Sequence, residues 1–125
     1  MVPADRKYTQ EQEWIMVDGG NGTVGVTDFA AHELGDIVFV ELPAVGSTFK
    51  QGDSVGSIES VKAVADLYLP VSGEIIAVNS AVPADPTLLN SDAFGQGWLV
   101  KVKLSTPGEL DGLMDAAAYG ELLGG

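Results

Sequence analysis

Short apolar segments separated by turn residues run along most of this sequence, and they restrict its fold more than any other feature. One such segment, Ile37–Leu42, ends at Pro43, and another is Glu74–Val78. Segments of this length that end at proline, glycine or asparagine are typical of strands. Strands this short, joined by frequent turns, favour a sandwich or barrel. The sequence therefore predicts a mainly β fold with short helices.

The first strands are expected to form an N-terminal hairpin. Trp14–Val17 and Thr23–Val26 lie on either side of a turn that is rich in glycine and asparagine, which supply the positive φ angles of a reversal. Either Thr27 or Asp28 is suited to cap a short helix after this hairpin. Gly35 is well placed to end that helix.

Two later segments carry helix-start signals. Asp85 followed by Pro86 has the pattern of an N-cap and a first-turn proline, and it predicts a brief helical turn. Thr106 and Glu109 have capping-box spacing, and they predict a C-terminal helical segment over about residues 106–123. The last strand is expected between these two signals, over 98–104.

The composition is that of an acidic, globular chain. Its 125 residues suit one domain, 1–125, and carry 18 acidic against 6 basic side chains, for a formal net charge of −12. Such a surface repels phosphate backbones and anionic lipids, so neither nucleic acid nor a membrane is an expected partner. Basic patches on partner enzymes are the natural target. The expected location is the bacterial cytoplasm, or the mitochondrial matrix for an organelle form whose transit peptide has been removed.

Catalytic and metal sites have little support in the sequence. There is no cysteine and a single histidine, His32, whereas a metal site usually recruits several such ligands together. Residues 20–25 match the glycine spacing of dinucleotide-binding proteins, and 52–56 match a serine nucleophile motif. Neither lies at the strand-to-helix turn that its chemistry requires. We therefore expect no metal and no enzymatic activity.

Lys62 stands out because no other basic residue lies between Lys50 and Lys101. A lone lysine is ordinarily a solvated charge. This one lies midway between two similar apolar segments, inside a hairpin predicted over about residues 54–78, and its neighbours Val61 and Ala63 are small and apolar. An unperturbed lysine, with a pKa of about 10.4, is better suited to receive an acyl group than to act as a base. Lys62 is therefore predicted to be the attachment point for a carried cofactor.

Two motifs around Lys62 resemble those of a known family. Glu59-Ser60-Val61-Lys62-Ala63, followed by Pro70-Val71-Ser72-Gly73-Glu74, is similar to the lipoyl-lysine hairpin of the H proteins of the glycine cleavage system. The resemblance covers nearly the whole chain. Its further matching segments are Tyr8–Trp14, Gly25–Thr27, Leu34–Pro43 and Asn90–Trp98.

The resemblance implies a flattened β-barrel, or barrel-sandwich hybrid, with an N-terminal hairpin and a C-terminal helix. It also implies a monomeric carrier, not itself an enzyme, with lipoate in amide linkage as N6-lipoyl-lysine at Lys62. The implied partners are a pyridoxal-phosphate glycine decarboxylase that loads an aminomethyl group, a tetrahydrofolate-dependent aminomethyltransferase that removes it, and dihydrolipoamide dehydrogenase, which reoxidises the dithiol. A lipoate ligase, or a lipoyl or octanoyl transferase, is implied for the attachment.

The resemblance also implies roles for other residues. The loaded arm would fold into a cleft at Glu13, Glu33 and Asp66, whose carboxylates are suited to bind an ammonium group. The plainer alternative is that these are ordinary surface acids. Recognition by the lipoylating enzyme is implied for Glu59, Ser60, Val61, Ala63 and Gly73, although Gly73 also has a local reason as a turn glycine.

Several departures and alternatives stay open at this point. Gln12, Phe29, Ala93 and Phe94 differ from the family pattern, and Phe29 would make the cleft more apolar. A lipoyl domain of a 2-oxoacid dehydrogenase and a biotin carrier share the same hairpin, although both are shorter and biotin carriers typically flank their lysine with methionines. An H-like protein that mainly relays lipoate to other acceptors is a further alternative.

Overall fold

The structure, a computed structural model, describes residues 3–123 as a series of short strands and helices. The strands in this range are β1 (Lys7–Tyr8), β2 (Glu13–Asp18), β3 (Asn21–Val26), β4 (Ile37–Glu41), β5 (Thr48–Phe49), β6 (Ser54–Ser60), β7 (Val64–Tyr68), β8 (Gly73–Val78) and β9 (Val100–Leu104). The helices are α1 (Asp28–Leu34), α2 (Ala81–Ala84), α3 (Leu88–Ser91) and α4 (Ala116–Leu122), with a 3-10 helix over Pro107–Gly112. The predicted mainly β class with short helices is confirmed.

The strands form two antiparallel sheets. One has six strands in the order β1-β2-β3-β9-β8-β5, and the other has three in the order β4-β6-β7. Within the described residues no backbone ladder joins the two sheets. The architecture is therefore an open, sandwich-like form of the predicted class, and the barrel is not closed.

One apolar core lies between the sheets. The three-stranded sheet contributes Val40, Ile58 and Leu67, and the six-stranded sheet contributes Val24 and Val102 to the same cluster. Each of these side chains is at most 2% exposed. Burying an aliphatic side chain of this size stabilises a fold by roughly 1.5–3 kcal/mol, so the contact between the sheets is a main source of stability.

A smaller aromatic cluster ties the ends of the described chain to the N-terminal hairpin. Tyr8, Trp14 and Tyr119 are buried in it, and the Tyr8 and Tyr119 rings stack with centroids 4.7 Å apart. The Phe94 ring lies 6.3 Å from that of Trp14, and the Ala93 carbonyl accepts a hydrogen bond from the Trp14 indole at 3.1 Å. Two of the departures from the family pattern, Ala93 and Phe94, therefore belong to this packing.

The predicted N-terminal hairpin and short helix are both present. Strands β2 and β3 pair in register, with Glu13 opposite Val26. Thr27, rather than Asp28, is the N-cap of α1, since its hydroxyl oxygen accepts a hydrogen bond from the Ala30 N–H at 3.1 Å. Gly35 ends the helix as expected.

The two later helix-start signals lead to different structures from those predicted. Asp85 is not an N-cap; it ends α2, which was not predicted, and α3 begins after Thr87. The Thr106 side chain does not cap the 3-10 helix. Glu109, the other half of the expected capping box, instead accepts hydrogen bonds from the backbone N–H and the hydroxyl of Ser72, both at 2.7 Å. Residues 106–123 therefore contain a 3-10 helix and the separate helix α4.

Gly73 has a structural role that differs from the predicted turn position. It begins β8, and a Cβ atom at this position would lie 2.3 Å from the carbonyl oxygen of Lys103 and 2.5 Å from Val102 Cγ1. The prediction of a turn glycine is therefore wrong. Glycine is required here because the neighbouring strand β9 leaves no room for a side chain.

Candidate functional site

Lys62 lies at the tip of the hairpin that β6 and β7 form. The residues joining the two strands, Val61–Ala63, are all exposed. Within residues 3–123 no carboxylate forms an ion pair with the Lys62 ammonium group. The side chain is therefore accessible from solvent, as a lysine that receives an acyl group must be.

Ser60 fixes the backbone of the hairpin tip. Its Oγ accepts hydrogen bonds from the N–H of Lys62 at 3.2 Å and from the N–H of Ala63 at 3.0 Å. The Ser60 backbone N–H also donates to the Ala63 carbonyl at 2.8 Å. A serine that bonds the backbone two and three residues further on is a common turn-forming arrangement. Lys62 is thus presented on an ordered turn.

The tip is also tied to the connection between α1 and β4. The Val61 N–H donates to the Asp36 carbonyl at 3.0 Å. A Cβ atom on Gly35 would lie 3.5 Å from Lys62 Cε, so the lysine stem passes close to this connection. The Asn90 amide donates to the Gly35 carbonyl at 2.8 Å and accepts from the first N–H of β4 at 3.0 Å. Neither Asp36 nor Asn90 was predicted to support the tip, because no local sequence signal reports contacts between such distant residues.

Four of the five predicted recognition residues lie together at the tip. Glu59, Val61 and Ala63 are exposed there, and Ser60 is 6% exposed beneath them. Gly73 is buried in β8, in the other sheet, where packing against β9 already requires glycine.

Glu13 is a buried carboxyl group at the start of β2, and it is 2% exposed. Its Oε1 accepts a hydrogen bond from the Thr9 hydroxyl at 2.8 Å, and its Oε2 accepts one from the backbone N–H of Tyr68 at 3.2 Å. Burial raises the pKa of Glu13 to about 7, although both hydrogen bonds favour the charged form. Glu13 lines a pocket of about 260 Å³. Its charge therefore changes near neutral pH.

Tyr68 connects Glu13 with Asp66, a link that was not predicted from the sequence. The Tyr68 backbone N–H reaches Glu13, and its hydroxyl donates to Asp66 Oδ2 at 3.3 Å. Asp66 and Tyr68 are two residues apart on β7 and so lie on one face of the strand, and the Asp66 carboxylate raises the pKa of Tyr68. An alternating strand with Asp and Tyr on the same side is a signal that could have suggested this pair.

Glu33, the third predicted cleft acid, lies apart from these two. It is exposed on α1. Within residues 3–123 its side chain makes no hydrogen bond to Glu13, Asp66 or Tyr68. The structure thus joins two of the three acids through one tyrosine and leaves the third on the helix.

Gln12 and Phe29, the remaining departures from the family pattern, have different surroundings. Gln12 has a φ of 72°, and its side-chain oxygen accepts hydrogen bonds from the hydroxyls of Tyr119 and Thr27. Gln12, which immediately precedes Glu13, therefore connects α4 with the start of α1. Phe29 is 38% exposed and lines an open cleft of about 640 Å³ beside α1, to which none of the predicted cleft acids contributes within the described residues.

Residues 3–123 contain neither clustered metal ligands nor long apolar helices. This part of the chain holds no group of three or more His, Cys, Asp or Glu side chains placed to bind a metal ion. No helix in it is long and apolar enough to cross a bilayer.

A mainly β fold that presents a lysine on an ordered, exposed hairpin tip, with Asp66 on the following strand, defines a carrier of a covalently attached group. Comparison with protein families identifies which carrier it is. The model of the family described as glycine cleavage H-protein matches residues 6–124. The chain belongs to this family.

Individual relatives agree over nearly the full length. The glycine cleavage system H protein of Symbiobacterium thermophilum is 55% identical over 118 residues, which are 94% of this chain and 92% of the relative. That of Beutenbergia cavernae is 54% identical over 124 residues, or 99% and 98% of the two chains. The crystal structure of an H protein from Mycobacterium marinum has a TM-score of 0.91 at 41% identity, covering 98% of this chain and 99% of that one. The protein is accordingly a lipoyl-carrier component of a glycine cleavage system and not itself a catalyst.

Proposed function

We propose that Lys62 holds lipoate in amide linkage, as N6-lipoyl-lysine, and that this arm carries the aminomethyl group of glycine between enzymes. The observation that carries the proposal is the exposed position of Lys62 at a hairpin tip that Ser60 and Asp36 hold in place. When bound, lipoate supplies a dithiol that accepts the aminomethyl group and is afterwards reoxidised. The protein supplies an ordered attachment point and a high effective concentration of the arm at each enzyme.

Membership of the glycine cleavage system implies contact with the other components of that system. The partners we propose are glycine decarboxylase, aminomethyltransferase and dihydrolipoamide dehydrogenase. A lipoate ligase, or a lipoyl or octanoyl transferase, is proposed to attach the cofactor. A net charge of −12 supports contact through basic surfaces on these enzymes. We propose that the protein is a monomer, because its single hairpin tip must contact several enzymes in turn. We propose the cytoplasm as its location.

The lipoylating enzyme is proposed to read Glu59, Ser60, Val61 and Ala63. Three of these are exposed around Lys62, and Ser60 orders the turn. Gly73 is the fifth proposed recognition residue. Its position in β8 supports an indirect contribution, through the close approach of β8 to β9, better than direct contact at the tip.

Asp66 and Glu13, with Glu33 from α1, are proposed to hold the cationic end of the loaded arm. Asp66 lies four residues beyond Lys62, or ~13 Å at the rise of a strand, and an extended lipoyl-lysine arm of twelve or so bonds spans ~15 Å. Glu13 contacts Tyr68, which lies ~20 Å from Lys62 by the same rise, at the limit of that reach. Asp66 is therefore the first acidic contact, since a carboxylate accepts charge-assisted hydrogen bonds from an ammonium group.

The attachment is tested by intact mass after expression with lipoate and a competent ligase. The mass of the wild-type chain is expected to rise by one lipoyl group, and Lys62→Ala is expected to abolish the rise. Lys50→Ala is the matched control, because Lys50 is also exposed beside a turn and should not be modified. An unchanged wild-type mass would remove the attachment proposal. Glycine decarboxylation with the partner enzymes then separates the shuttle from lipoate relay, since fully lipoylated protein without turnover would favour relay.

A further inference from the structure

We propose that the outer face of the three-stranded sheet beside Lys62 is the docking surface for the enzyme that attaches lipoate. This surface, the Phe39 face, is defined by Phe39, Glu59 and Val64. The inference rests on the proposed attachment at Lys62 and adds to it a recognition surface that includes a second strand, distant from the lysine in sequence.

The Phe39 face is a single row of side chains across three strands. Phe39 on β4 pairs with Glu59 on β6, and Glu59 pairs with Val64 on β7. Paired residues of an antiparallel ladder place their side chains on the same face, so Phe39 and Val64 flank Glu59 at ~5 Å on either side. The adjacent row, Val40, Ile58 and Ala65, points the other way, toward the core.

The apolar members of this row are unusually exposed. Phe39 is 53% exposed and Val64 is 68% exposed, and Val61 at the tip is also 68% exposed. On a half-buried sheet the outward positions are ordinarily polar. Exposed apolar side chains grouped in this way beside Lys62 are typical of a surface that another protein covers.

Charge indicates what kind of partner covers the surface. The next outward row on the same side of the sheet is Glu41, Ser57 and Asp66. This row and the Phe39 face together carry three carboxyl groups and two apolar side chains. Lys62 is the only basic residue between Lys50 and Lys101. The matching occupant therefore has an apolar pocket with arginine or lysine side chains at its rim.

Distance indicates which enzyme this occupant is. A lysine Nζ lies ~6 Å from its own Cα, so an enzyme that forms a bond at Nζ must contact the hairpin tip and its surroundings. Enzymes that act on the sulfurs of the arm work up to ~15 Å from the tip and need not touch the row. In the attachment step Nζ attacks the carbonyl of an activated acyl donor, the activating group leaves with the bonding electron pair, and the proton of the amine passes to a base of the enzyme.

The test measures lipoylation kinetics of the unmodified chain with a purified lipoate ligase, lipoate and ATP, followed by intact mass. Phe39→Ala is expected to raise KM for the carrier about tenfold with kcat unchanged, because removing an aromatic anchor weakens docking and leaves the reacting atoms in place. Val64→Ser is expected to raise KM in the same way. Val45→Ser is the matched control, since Val45 is 59% exposed and its neighbour Gly46 bonds to Ile75 in the other sheet. Raising the salt concentration should raise the wild-type KM.

The outcomes separate the inference from the proposed function. A wild-type chain that is not lipoylated at all would remove both the attachment and the docking surface. Normal lipoylation of the wild type with an unchanged KM for Phe39→Ala would overturn the docking surface alone. A defect limited to loading by glycine decarboxylase would assign the face to another partner and overturn it too. Thermal unfolding of each variant checks the fold. If Phe39→Ala does not fold, Val64→Ser tests the surface in its place, and Phe39→Tyr, which keeps the ring, should have the KM of the wild type.

Discussion

Ser60 Oγ accepts a hydrogen bond from the backbone N–H of Lys62 at 3.2 Å, so a buried side chain two positions earlier fixes the backbone of the proposed attachment residue. A further hydrogen bond, from the Val61 N–H to the Asp36 carbonyl, connects the hairpin tip to the segment that follows α1. A carrier gains from such order, because the conformational entropy of the turn is then lost on folding rather than each time an enzyme docks.

Replacing Ser60 with Ala is expected to loosen this turn. The variant loses the three hydrogen bonds that the Ser60 hydroxyl makes at the tip, and it should lose about 1 kcal/mol in the free energy of unfolding. Hydrogen exchange at the amides of Lys62 and Ala63 should become faster. Ser57→Ala is the matched control, because Ser57 lies on the same strand and its hydroxyl makes no hydrogen bond within the described residues. Equal exchange rates at the tip of both variants would contradict the role given to Ser60.

The raised pKa of Glu13 makes the stability of the fold depend on pH. The ordinary value for Glu is 4.5, and in the folded chain burial raises the pKa to about 7. Between these two values the folded state binds more protons than the unfolded state, so the free energy of unfolding falls as pH rises through the window. The shift corresponds to roughly 3 kcal/mol when the whole window is crossed.

Glu13→Gln is expected to remove this dependence. The amide can donate to Thr9 and accept from Tyr68, so both contacts persist without a charge. Denaturant unfolding at several pH values should show the variant gaining stability relative to wild type from about pH 4.5 to about pH 7. Glu121→Gln, at an exposed position on α4, is the control. A constant difference between Glu13→Gln and wild type over this range would exclude a buried, titrating Glu13.

Gly73→Ala is expected to be strongly destabilising. The new Cβ would lie 2.3 Å from a backbone oxygen of β9, and backbone atoms in a sheet cannot move aside without breaking the ladder. We expect a loss of about 2–4 kcal/mol, measured by thermal or denaturant unfolding. Gly20→Ala is the matched control, since nothing lies within 4 Å of a Cβ there. If Gly73→Ala unfolds like wild type but is poorly lipoylated, direct recognition of Gly73 would be the better explanation.

The features that could be predicted from the sequence are those set by local chemistry. The last strand, a helix cap at Thr27 or Asp28 and the glycine that ends α1 each depend on a few neighbouring residues. The structure contains the strand as β9, has Thr27 as the cap and ends α1 at Gly35. The position of Lys62 at a hairpin tip followed from the two similar segments beside it.

The features that were missed depend on contacts between distant residues. Glu109 had the spacing of a capping box, but its carboxylate binds Ser72, which lies 37 residues earlier. The contact of Asn90 with Gly35 spans 55 residues, and that of Tyr68 with Glu13 also spans 55. Local patterns cannot report which of several partners a polar side chain selects once the sheets pack, so the support around the candidate site became visible only in the fold.

The acidic cleft is tested by the lifetime of the aminomethylated carrier, prepared with glycine decarboxylase and followed by intact mass. Asp66→Asn is expected to shorten the lifetime several-fold, because the amide keeps the shape of the side chain but loses the charge-assisted hydrogen bond to the ammonium group. Tyr68→Phe should have a smaller effect, since it removes only the hydroxyl that orients Asp66 at 3.3 Å. Glu33→Gln should have the smallest effect of the acid replacements, because Glu33 is exposed on α1 and is not bonded to this group. Asp53→Asn, at an exposed turn outside the cleft, is the control. A lifetime of Asp66→Asn equal to that of Asp53→Asn would remove Asp66 from the cleft, and a larger effect of Glu33→Gln would move the resting position of the arm toward α1.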